Sequence, residues 1–368
     1  MTRRQKSVFI GSFLALIYPV SVLQTGIELG HGRHPQFLNI FQRVPTRPNL
    51  RAYEKQLEDE SIVAHAVRPW VQYSQFVLFG DLGEKALAGR SGWLFYKPDM
   101  RYLVEAAPVE DPFRAITDFS DQLNRRGIHL LIIPIPGKPA LYGDMLTRRV
   151  NGDEWMSSHT RGLMARLRAA GVETIDLFQL FGKLRSRPEP YYLLRDTHWT
   201  GEGAELAADT VARRVIDLGW IRNGNMEYQL QPMRVPRPSD IALMTRAHLI
   251  EAQFAAELVS CTQVIDSTTG SRYRDDPASP VLVLGDSFLR IYQNDAPRSA
   301  GFIAHLARKL KQPVASIVND GGASTLVRQE LARRPQLLRG KKVVIWEFVE
   351  RDIRFGIEGW KPVPLPPA

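Results

Sequence analysis

The stretch VLVLGDSFLR occupies residues 281–290. Its apolar residues run directly into Gly285, Asp286 and Ser287, a pattern that indicates a buried strand ending abruptly in a polar turn. Continuous apolar strands are typical of parallel sheets that are covered on both faces. In open α/β sheets, sites form at the carboxyl ends of the strands. The stretch therefore predicts an α/β fold with Ser287 at a position suited to a functional site.

Predicted helices and strands alternate on both sides of this stretch. Several helices end at a glycine that leads into an apolar strand. This alternation predicts a doubly wound, mostly parallel α/β sheet with helices on both faces, although residues 221–278 are less regular. The helices are predicted at 112–126, 153–170, 202–218, 300–311 and 324–334, and the other strands at HLLIIPIP (129–136), VETIDLF (172–178), VASIV (314–318) and KKVVIWEF (341–348).

The composition is that of a globular protein, with 368 residues, 44% hydrophobic and 24% charged. The single cysteine, Cys261, cannot form an internal disulfide and is interpreted as a small core residue. The formal net charge of +9 favours acidic surfaces such as anionic lipid, acidic polysaccharide or nucleic acid. No stretch interleaves basic and aromatic residues as a nucleic-acid module does, so no nucleic-acid partner is predicted.

The N-terminus carries the pattern of a signal anchor. MTRRQK places three positive side chains before an uncharged run at 7–24, whose length is near the lower limit for spanning a bilayer. By the positive-inside rule the basic end stays in the cytoplasm and the rest of the chain is exported. A cleaved signal peptide is the alternative, which is disfavoured because Leu23 and Gln24 stand where small residues are required.

The sequence predicts five segments along the chain. A basic leader at 1–6 precedes an anchor at 7–25 and a partly helical juxtamembrane connector at 26–84. The α/β domain follows at 85–356 and opens with a glycine turn and an aromatic strand in GRSGWLFYKPD. The proline-rich tail at 357–368 is expected to be extended and mobile.

The segment YYLLRDTHWTGEGAELAAD, which starts at Tyr191, places Asp196 two residues before His198. In an extended segment both side chains project from one face, while Thr197 points away. A carboxylate beside an imidazole can hold the Nδ1 proton and leave Nε2 free to accept a proton from a serine hydroxyl. The pair therefore predicts a base for Ser287. An ordinary turn or N-cap serine and a structural histidine remain the alternative interpretations.

Several motifs of this sequence together resemble those of a known protein family. RDTHWTGEGAELAAD, VLVLGDSF and GRSGWLFY, together with IPIPGKPALY and VVIWEFVERDI, resemble the alginate O-acetyltransferase family of the AlgJ and AlgX type over roughly residues 85–355. The catalytic domain of that family is similar to SGNH hydrolases, which carry the serine block first, whereas here Asp196 and His198 precede Ser287. The resemblance implies that Ser287 is the nucleophile, His198 the base and Asp196 the orienting acid, with an acetyl-serine intermediate.

An oxyanion hole is the next expectation from this match. The Ser287 backbone N–H is expected to form one half. NDGGAST, at 319–325, is the candidate for the other half, either through the backbone of Gly321 and Gly322 or through the side chain of Asn319. An ordinary Gly-Gly turn is an equally good interpretation of this segment.

Three further side chains are candidates for substrate contact. Lys138 in PGKP is similar to a family lysine near the carboxyl edge of the sheet, with a solvated loop lysine as the alternative. Trp199 and Tyr142 are candidates for stacking on sugar rings, because a flat apolar ring suits the C–H face of a pyranose. Local core packing is an equally good interpretation of Trp199.

The remaining polar residues suggest no cofactor. Glu347, Glu350 and Arg351 follow the last strand and are interpreted as an internal ion pair. No His, Cys or Asp cluster has metal-ligand spacing, and neither a Gly-x-Gly-x-x-Gly loop nor a Walker loop is present. We therefore expect neither a metal nor a nucleotide.

The leading hypothesis, which the resemblance implies, is an exported, membrane-anchored O-acetyltransferase acting on an exopolysaccharide. Its implied partners are the polysaccharide acceptor, a membrane-bound O-acyltransferase as acetyl donor, and other exopolysaccharide export proteins. Its catalytic domain would lie on the periplasmic side of the bacterial inner membrane. A carbohydrate esterase with the same triad is the first alternative, with water as the acceptor. A non-catalytic polysaccharide-binding component is the second, and the intact triad argues against it.

Overall fold

The computed structural model describes residues 22–42, 44–105, 111–149, 157–185 and 189–367. The chain divides into two compact units, Met1–Asp81 with Ala247–Ile250, and Leu82–Arg246 with Glu251–Ala368. The second unit contains the α/β sheet and the residues of the site. The segment boundaries predicted from the sequence stay predictions.

The strands form a central parallel sheet, a small sheet near the start of the second unit, and a long antiparallel hairpin. In chain order they are β1 (Asp81–Leu82), β2 (Ala86–Ala88), β3 (Leu94–Tyr96), β4 (His129–Ile135), β5 (Glu173–Thr174), β6 (Tyr228–Arg237), β7 (Glu257–Asp266), β8 (Val281–Gly285), β9 (Ala315–Val318) and β10 (Val343–Val349). The central sheet has the order β5-β4-β10-β8-β9, and every neighbouring pair is parallel. The prediction of a mostly parallel sheet is confirmed.

The helices predicted at 112–126, 153–170, 202–218, 300–311 and 324–334 are confirmed with small differences at their ends, and the structure has further helices that the sequence analysis did not predict. In chain order they are α1 (Arg47–Glu60), α2 (Ile62–Phe79), α3 (Lys97–Val104), α4 (Pro112–Asn124), α5 (Lys138–Leu146), α6 (Ser158–Ala169), α7 (Leu177–Leu184), α8 (Gly201–Asp217), α9 (Asp240–Leu243), α10 (His248–Glu251), α11 (Ser287–Arg290), α12 (Phe302–Leu310), α13 (Leu326–Arg333) and α14 (Asp352–Phe355), with 3-10 helices at Gln36–Gln42 and Pro335–Leu338. Residues 22–30 are also helical.

The apolar strands bury side chains on both faces of the sheet. Along β8, which is buried throughout, Val281 and Val283 enter one apolar cluster, while Leu282 and Leu284 enter the other, because successive side chains of a strand alternate between faces. Helices α8 and α12 cover the first face, and α4, α6 and α13 cover the second. This arrangement is the doubly wound architecture that the sequence predicted.

The strand predicted over 172–178 is much shorter than expected. β5 ends at Thr174, and helix α7 begins at Leu177. Asp176 is the cause, since its side chain accepts a hydrogen bond from the Gln179 N–H at 2.9 Å and so caps the first turn of the helix. The apolar residues that follow Asp176 therefore pack against the sheet from a helix.

The irregular stretch at 221–278 contains the hairpin of β6 and β7, which the sequence analysis did not predict. The two strands pair over ten residues, from Tyr228 beside Asp266 to Arg237 beside Glu257. Prolines interrupt the pattern of β6, and a two-stranded ribbon tolerates them because each strand keeps one unpaired edge. The hairpin brings Arg237 and Glu257 to the site.

The proline-rich tail is extended but packed, so the expectation of a mobile tail is wrong. Val363 and Leu365 are buried, and the Leu365 N–H donates a hydrogen bond to Gln122 Oε1 at 2.6 Å. Alternate apolar residues of the tail thus cover α4.

The predicted basic leader and most of the predicted anchor, at 1–21, lie outside the described residues. Among the helices that the structure does describe, none combines the length and the apolar character needed to cross a membrane.

Candidate active site

Ser287 stands where β8 ends and the single helical turn α11 begins. Asp286 caps this turn by accepting a hydrogen bond from the Phe288 N–H at 2.9 Å, and its own N–H donates to Glu347 Oε2 at 3.0 Å. A Cβ atom at Gly285 would lie 2.2 Å from that same oxygen, so glycine is required there. Burial, and then the charge of Asp286, hold the pKa of Glu347 well above its usual range. These contacts fix a sharp turn that leaves Ser287 partly exposed.

A chain of hydrogen bonds joins Ser287, His198 and Asp196. Ser287 Oγ lies 2.8 Å from His198 Nε2, and His198 Nδ1 lies 2.6 Å from Asp196 Oδ1. Because an ionised carboxylate only accepts hydrogen bonds, Nδ1 carries the imidazole proton and Nε2 accepts the serine proton. The structure thus brings the three predicted residues together in the arrangement of a nucleophile, a base and an orienting acid. We call it the relay. The roles of its members in catalysis stay predictions.

The segment around His198 is a tight turn, which corrects the expectation of an extended segment. Asp196 Oδ1 accepts a hydrogen bond from the His198 N–H at 3.0 Å as well as from the ring, and this local bond folds the backbone. Thr197 does not point away from the pair. Its Oγ1 lies 3.1 Å from His198 Nδ1 and donates to Asp240.

Lys138, the first residue of α5, is fully buried against this turn. Its Nζ donates to the carbonyl oxygens of Leu193, Leu194 and Asp196 at 2.9, 3.0 and 2.7 Å, which uses all three ammonium donors. Burial lowers the pKa of Lys138 to about 8, although nearby carboxylates oppose the shift. The predictions of a substrate contact and of a solvated loop lysine are both wrong, because the ammonium group is buried and donates all its hydrogen bonds to backbone carbonyls of the turn.

Two residues that no motif marked complete the surroundings of the relay. Arg237, the last residue of β6, donates from Nε to Asp196 Oδ2 at 2.8 Å. Asp240, in α9, accepts a hydrogen bond from the Thr197 N–H at 2.8 Å, and its Oδ2 lies 3.5 Å from His198 Nδ1. His198 therefore faces two carboxylates, one of which is neutralised by an arginine.

The two carboxylates have opposite pKa shifts. Burial acts to raise the pKa of Asp196, but its interactions with His198 and Arg237 are stronger together and hold the pKa below its ordinary range. Burial, and then the charge of Asp196, raise the pKa of Asp240 to about 6. Asp196 is therefore ionised throughout the neutral range, whereas Asp240 gains a proton in mild acid.

The hairpin provides further contacts to the turn. Glu257, at the start of β7, accepts hydrogen bonds from the N–H groups of Leu194 and Arg195 at 3.0 and 2.6 Å. Ser239, which follows β6, donates from its hydroxyl to the Arg195 carbonyl. The part of the sequence with the least regular pattern thus supplies most of the contacts that hold Asp196 in place. The sequence carries no short-range signal for these contacts.

The candidates for the oxyanion hole differ in their availability. Among the described residues, the Ser287 N–H has no hydrogen-bond partner and is free to donate. The Gly322 N–H instead donates to the Asn319 carbonyl at 2.9 Å, closing a turn in which Gly321 has a φ of +67°. These glycines form the ordinary turn that was the alternative interpretation. Asn319 follows β9 and donates from its N–H to the Gly285 carbonyl at 3.0 Å, so its side-chain amide remains the candidate for the second donor.

A family model described as "SGNH hydrolase-like domain, acetyltransferase AlgX" matches residues 86–350, a range that contains the whole relay. The chain belongs to this family. The resemblance inferred from the motifs is confirmed, as is the prediction that the protein is a member of an acetyltransferase family with an SGNH-hydrolase-like α/β domain.

Individual relatives of this AlgX-type chain cover different lengths of it. A "Probable alginate O-acetylase AlgJ" of Pseudomonas aeruginosa is 32% identical over 142 residues, covering 38% of this chain and 34% of the relative. A protein of the same name from Pseudomonas fluorescens is 21% identical over 363 residues, covering 95% of this chain and 88% of the relative. The solved O-acetyltransferase domain of Pseudomonas putida AlgJ matches with a TM-score of 0.56 and 22% identity, covering 73% of this chain and 92% of that domain. This structural likeness establishes the shared fold.

Trp199 and Tyr142 do not offer a face to a sugar in this AlgX-family domain. Trp199 is fully buried, stacked on Phe302 and edge-on to Phe288. Tyr142 is 5% exposed, and its hydroxyl accepts a hydrogen bond from the Tyr191 N–H at 2.9 Å. The prediction of sugar stacking is wrong for both rings, and core packing is the correct interpretation of Trp199.

The charged residues after β10 do not pair with one another as predicted. Arg351 Nη1 donates instead to Asp99 Oδ1 at 2.9 Å. Glu350 accepts hydrogen bonds from the Gly137 N–H and the Thr160 hydroxyl, each at 2.9 Å. Burial, reinforced by the charge of Asp99, raises the pKa of Glu350 to about 8. Glu350 is thus a mostly neutral hydrogen-bonding group at pH 7 rather than the partner of Arg351.

The donor atoms of Asp196, His198 and Asp240 lie within 4.8 Å of one another, a separation that also suits a cation. Each group already takes part in hydrogen bonds of the relay, since Nδ1 donates to Asp196 and Asp240 accepts from Thr197. These hydrogen bonds therefore account for the proximity of Asp196, His198 and Asp240, and the expectation of no metal stays a prediction.

Proposed function

We propose that the protein is an O-acetyltransferase that transfers acetyl groups to hydroxyls of an exopolysaccharide through an acetyl-serine at Ser287. The observation that carries the proposal is the relay, with Ser287 Oγ 2.8 Å from His198 Nε2 and His198 Nδ1 2.6 Å from Asp196 Oδ1. Such a relay activates a serine for attack on an acyl carbonyl. Membership in the AlgX family and relatives named alginate O-acetylases support acetyl as the group and a polysaccharide as the acceptor.

Two half-reactions follow from this geometry. In the first, Ser287 Oγ forms a bond to the acetyl carbon, and the bond from that carbon to the leaving group of the donor breaks. The serine proton passes through His198 Nε2 to the leaving group. In the second, a sugar hydroxyl gives its proton to Nε2 as its oxygen attacks the acetyl-serine, and the Ser287 hydroxyl is restored. The developing oxyanion is stabilised by the Ser287 N–H and the Asn319 amide.

The contacts around the relay support each step. His198 becomes positively charged in both half-reactions, and Asp196 stabilises that charge from 2.6 Å. The interactions with His198 and then with Arg237 keep Asp196 ionised, and Arg237 fixes the orientation of its carboxylate through Oδ2. Asp196 is therefore held so that only Oδ1 is presented to the imidazole.

Export and anchoring belong to the same proposal. The basic leader at 1–6 and the apolar run at 7–24 support a single inward-basic span, with the domain on the periplasmic side of a bacterial inner membrane. A membrane-bound O-acyltransferase is the proposed acetyl donor, and other exopolysaccharide export proteins are proposed partners. A reporter enzyme that is active only in the cytoplasm should be silent when fused after Ala368. Activity of that reporter would contradict the topology.

The chemistry is tested with the full-length protein, p-nitrophenyl acetate as acetyl donor, and oligosaccharides as acceptors. Mass spectrometry is expected to find the acetyl adduct on Ser287 and acetylated oligosaccharide among the products. Both should be absent in Ser287→Ala. An adduct on another residue would contradict the nucleophile. If every oligosaccharide leaves the rate of acetate release unchanged and no acetylated sugar forms, the protein is an esterase rather than a transferase.

A further inference from the structure

Exposed apolar side chains are concentrated in the first of the two units. On a soluble surface such side chains are usually scattered singly, whereas a continuous exposed patch marks a contact with a membrane or a partner. Most of the large apolar side chains that are exposed in the described residues lie between residues 22 and 79, and helix α2 contributes the largest group of them. The first unit therefore has an apolar surface that calls for an occupant.

Helix α2 covers one of its sides within the unit and exposes the other. Three partly buried residues mark the inner side, namely Pro69, Tyr73 and Phe76. Four apolar residues mark the outer side, namely Val67, Trp70, Val71 and Leu78, which are 49%, 64%, 48% and 70% exposed. Residues three or four apart share a face of a helix, so these four form one continuous row with the exposed Ser74. We call this row the α2 stripe.

The charges of α2 suit the headgroups of a lipid bilayer. The helix contains no acidic residue, and Arg68 is its only arginine or lysine. The neighbouring α1, by contrast, contains several carboxylates, among them Glu54, Asp59 and Glu60. Basic residues beside an apolar face favour anionic lipid, and tryptophan favours the boundary between headgroups and acyl chains. The α2 stripe, with Trp70 in it and Arg68 on the same helix, has this composition.

The stripe belongs to a helix that is fastened to the end of the apolar run at 7–24. Residues 22–24 end that run and are also the first residues of the helix at the start of the described chain. Gln24 Oε1 accepts hydrogen bonds from the Ser61 hydroxyl at 3.1 Å and from the Val63 N–H at 3.2 Å. Ser61 is the N-cap residue of α2. If the run enters the bilayer, as proposed, α2 begins where the run leaves it.

Helix α2 suits a position along the membrane surface rather than across the membrane. Its 18 residues extend over ~27 Å, yet neither α2 nor any other described helix is long and apolar enough to cross a bilayer. Its inner side is already packed within the unit, so only the outer side is available to lipid. An interfacial helix of this kind buries one apolar face by about 5–10 Å between the headgroups and the acyl chains.

We propose that the α2 stripe lies in the interface of the lipid bilayer and holds the first unit against the membrane at a second point beside the anchor. This inference rests on the proposed anchoring but not on the proposed acetyl transfer. A single span leaves the attached unit free to rotate about the span and to tilt. A second helix in the plane of the interface removes both freedoms, so the first unit keeps one orientation towards the bilayer.

Lipid contact is measured on the full-length protein in vesicles of phosphatidylethanolamine and phosphatidylglycerol. A nitroxide label is attached to Val71→Cys, Ser74→Cys or Leu78→Cys, with one introduced cysteine in each variant. Ser74→Cys is nearly isosteric, so it tests the stripe without a change in packing. The native Cys261 is buried and stays in place, and the unsubstituted protein treated with the same label gives its background signal.

Collisions of each nitroxide with O2, which concentrates among acyl chains, are compared with collisions with a water-soluble nickel chelate. We expect collisions with O2 to predominate at the three positions of the α2 stripe. Glu54→Cys and Lys55→Cys are the matched controls, at exposed charged positions of α1. For these two labels the ratio should be reversed, with collisions with the chelate predominating.

Two results would overturn the inference. Collisions with the chelate that are as frequent at the stripe as at the controls would show that the stripe faces water. Rare collisions with both reagents would show that protein covers the stripe, whether residues 1–21, a second copy of the chain or another protein. Acetylation of Ser287 by p-nitrophenyl acetate should be unchanged in every cysteine variant, and the reporter fused after Ala368 tests the topology separately. Either result would therefore leave the proposed acetyl transfer standing.

Discussion

Lys138 Nζ donates a hydrogen bond to the backbone carbonyl of Asp196 across 2.7 Å, although the two residues are 58 positions apart in the chain. A buried ammonium is costly unless every N–H finds an acceptor, and here three carbonyl oxygens supply them. The position of the acid that orients His198 therefore depends on the first residue of α5. This contact makes Lys138 a positioning residue for the relay.

Lys138→Met should disrupt the turn that carries Asp196. The substitution leaves three buried carbonyls without donors, at a cost of ~1–3 kcal/mol for each one that stays unsatisfied. We expect a melting temperature lower by several degrees, and slower acetylation of Ser287 at temperatures where the variant is folded. Thermal unfolding and mass spectrometry measure the two effects. Lys183→Met, at an exposed position of α7, is the matched control and should change neither. If Lys138→Met keeps the wild-type melting temperature and acetylation rate, Lys138 does not position the turn that carries Asp196.

Asp240→Asn should slow acetylation of Ser287 in a way that depends on pH. The pKa of Asp240 is raised to about 6, so its charge is present at pH 8 and absent at pH 5. At pH 8 the variant loses a negative charge 3.5 Å from His198 Nδ1, where the imidazolium forms. We expect about a tenfold lower rate, or ~1.4 kcal/mol. At pH 5 the wild-type residue is itself neutral, so the two rates should converge.

The pH profile of single-turnover acetylation measures this difference between Asp240→Asn and the wild type. Asp209→Asn serves as the control, because Asp209 pairs with Lys309 away from the relay. A constant ratio of rates from pH 5 to pH 8 would show that Asp240 acts through structure alone. The proposed electrostatic role would then be wrong.

The parallel sheet and the relay could be predicted because their signals are short-range. Continuous apolar runs such as that of β8 define buried strands, and the turn that follows places Ser287 at a strand end. Asp196 and His198 are two residues apart, so their proximity needs no knowledge of the fold. The doubly wound architecture and the pairing of Asp196 with His198 follow from such local patterns, whereas the assignment of Ser287, 89 residues from His198, to this pair rests on the resemblance to the acetyltransferase family.

The residues that support the relay could not be predicted, because their contacts join distant parts of the chain. Arg237 and Asp240 follow Asp196 by 41 and 44 residues, and the hairpin that carries Arg237 is masked by prolines within β6. For Trp199, by contrast, the sequence suggested a role in the site that the structure does not show. An aromatic side chain next to a site suggests a ligand contact, but packing against Phe302 decides its place, and packing is a property of the assembled fold.

Glu350→Gln should flatten the dependence of stability on pH. The folded-state pKa of Glu350 is raised to about 8, chiefly by burial, and the unfolded value is near 4.3. Between these values the folded state holds a proton that the unfolded state has lost, so stability falls as pH rises from about 4.3 to about 8. Glutamine keeps an acceptor for the Gly137 N–H and removes the titration. The melting temperature of the variant should therefore decline less than that of the wild type between pH 5 and pH 8.

The matched control for this prediction is Glu358→Gln, at an exposed carboxyl whose partner is Lys361. Its pKa is lowered through Lys361, so it has no titration between pH 5 and pH 8. Its melting curve should follow that of the wild type over this range. Parallel declines for Glu350→Gln and the wild type would show that Glu350 is already ionised in the folded protein.

Gly285→Ala should destabilise the turn that presents Ser287. The added Cβ would lie 2.2 Å from Glu347 Oε2 and 2.5 Å from Leu289 Cδ1, and overpacking of this kind costs ~1–3 kcal/mol. Denaturant unfolding measures the loss, and acetylation of Ser287 should fall with it because the turn must shift. Gly182→Ala is the control. Beyond its chain neighbours and the backbone of helix α7, no described atom lies within 4 Å of the added Cβ, so this variant should gain up to ~1 kcal/mol of stability.

A double-mutant cycle assigns this cost to its cause. Gly285→Ala made in a Glu347→Ala background no longer meets the carboxylate oxygen, so the second substitution should cost less than it does alone. The Glu347→Ala change is itself destabilising, since it leaves the buried Asp286 N–H without its acceptor. If the cost of Gly285→Ala is the same in both backgrounds, Glu347 does not set the requirement for glycine, and the contact with Leu289 must be responsible instead.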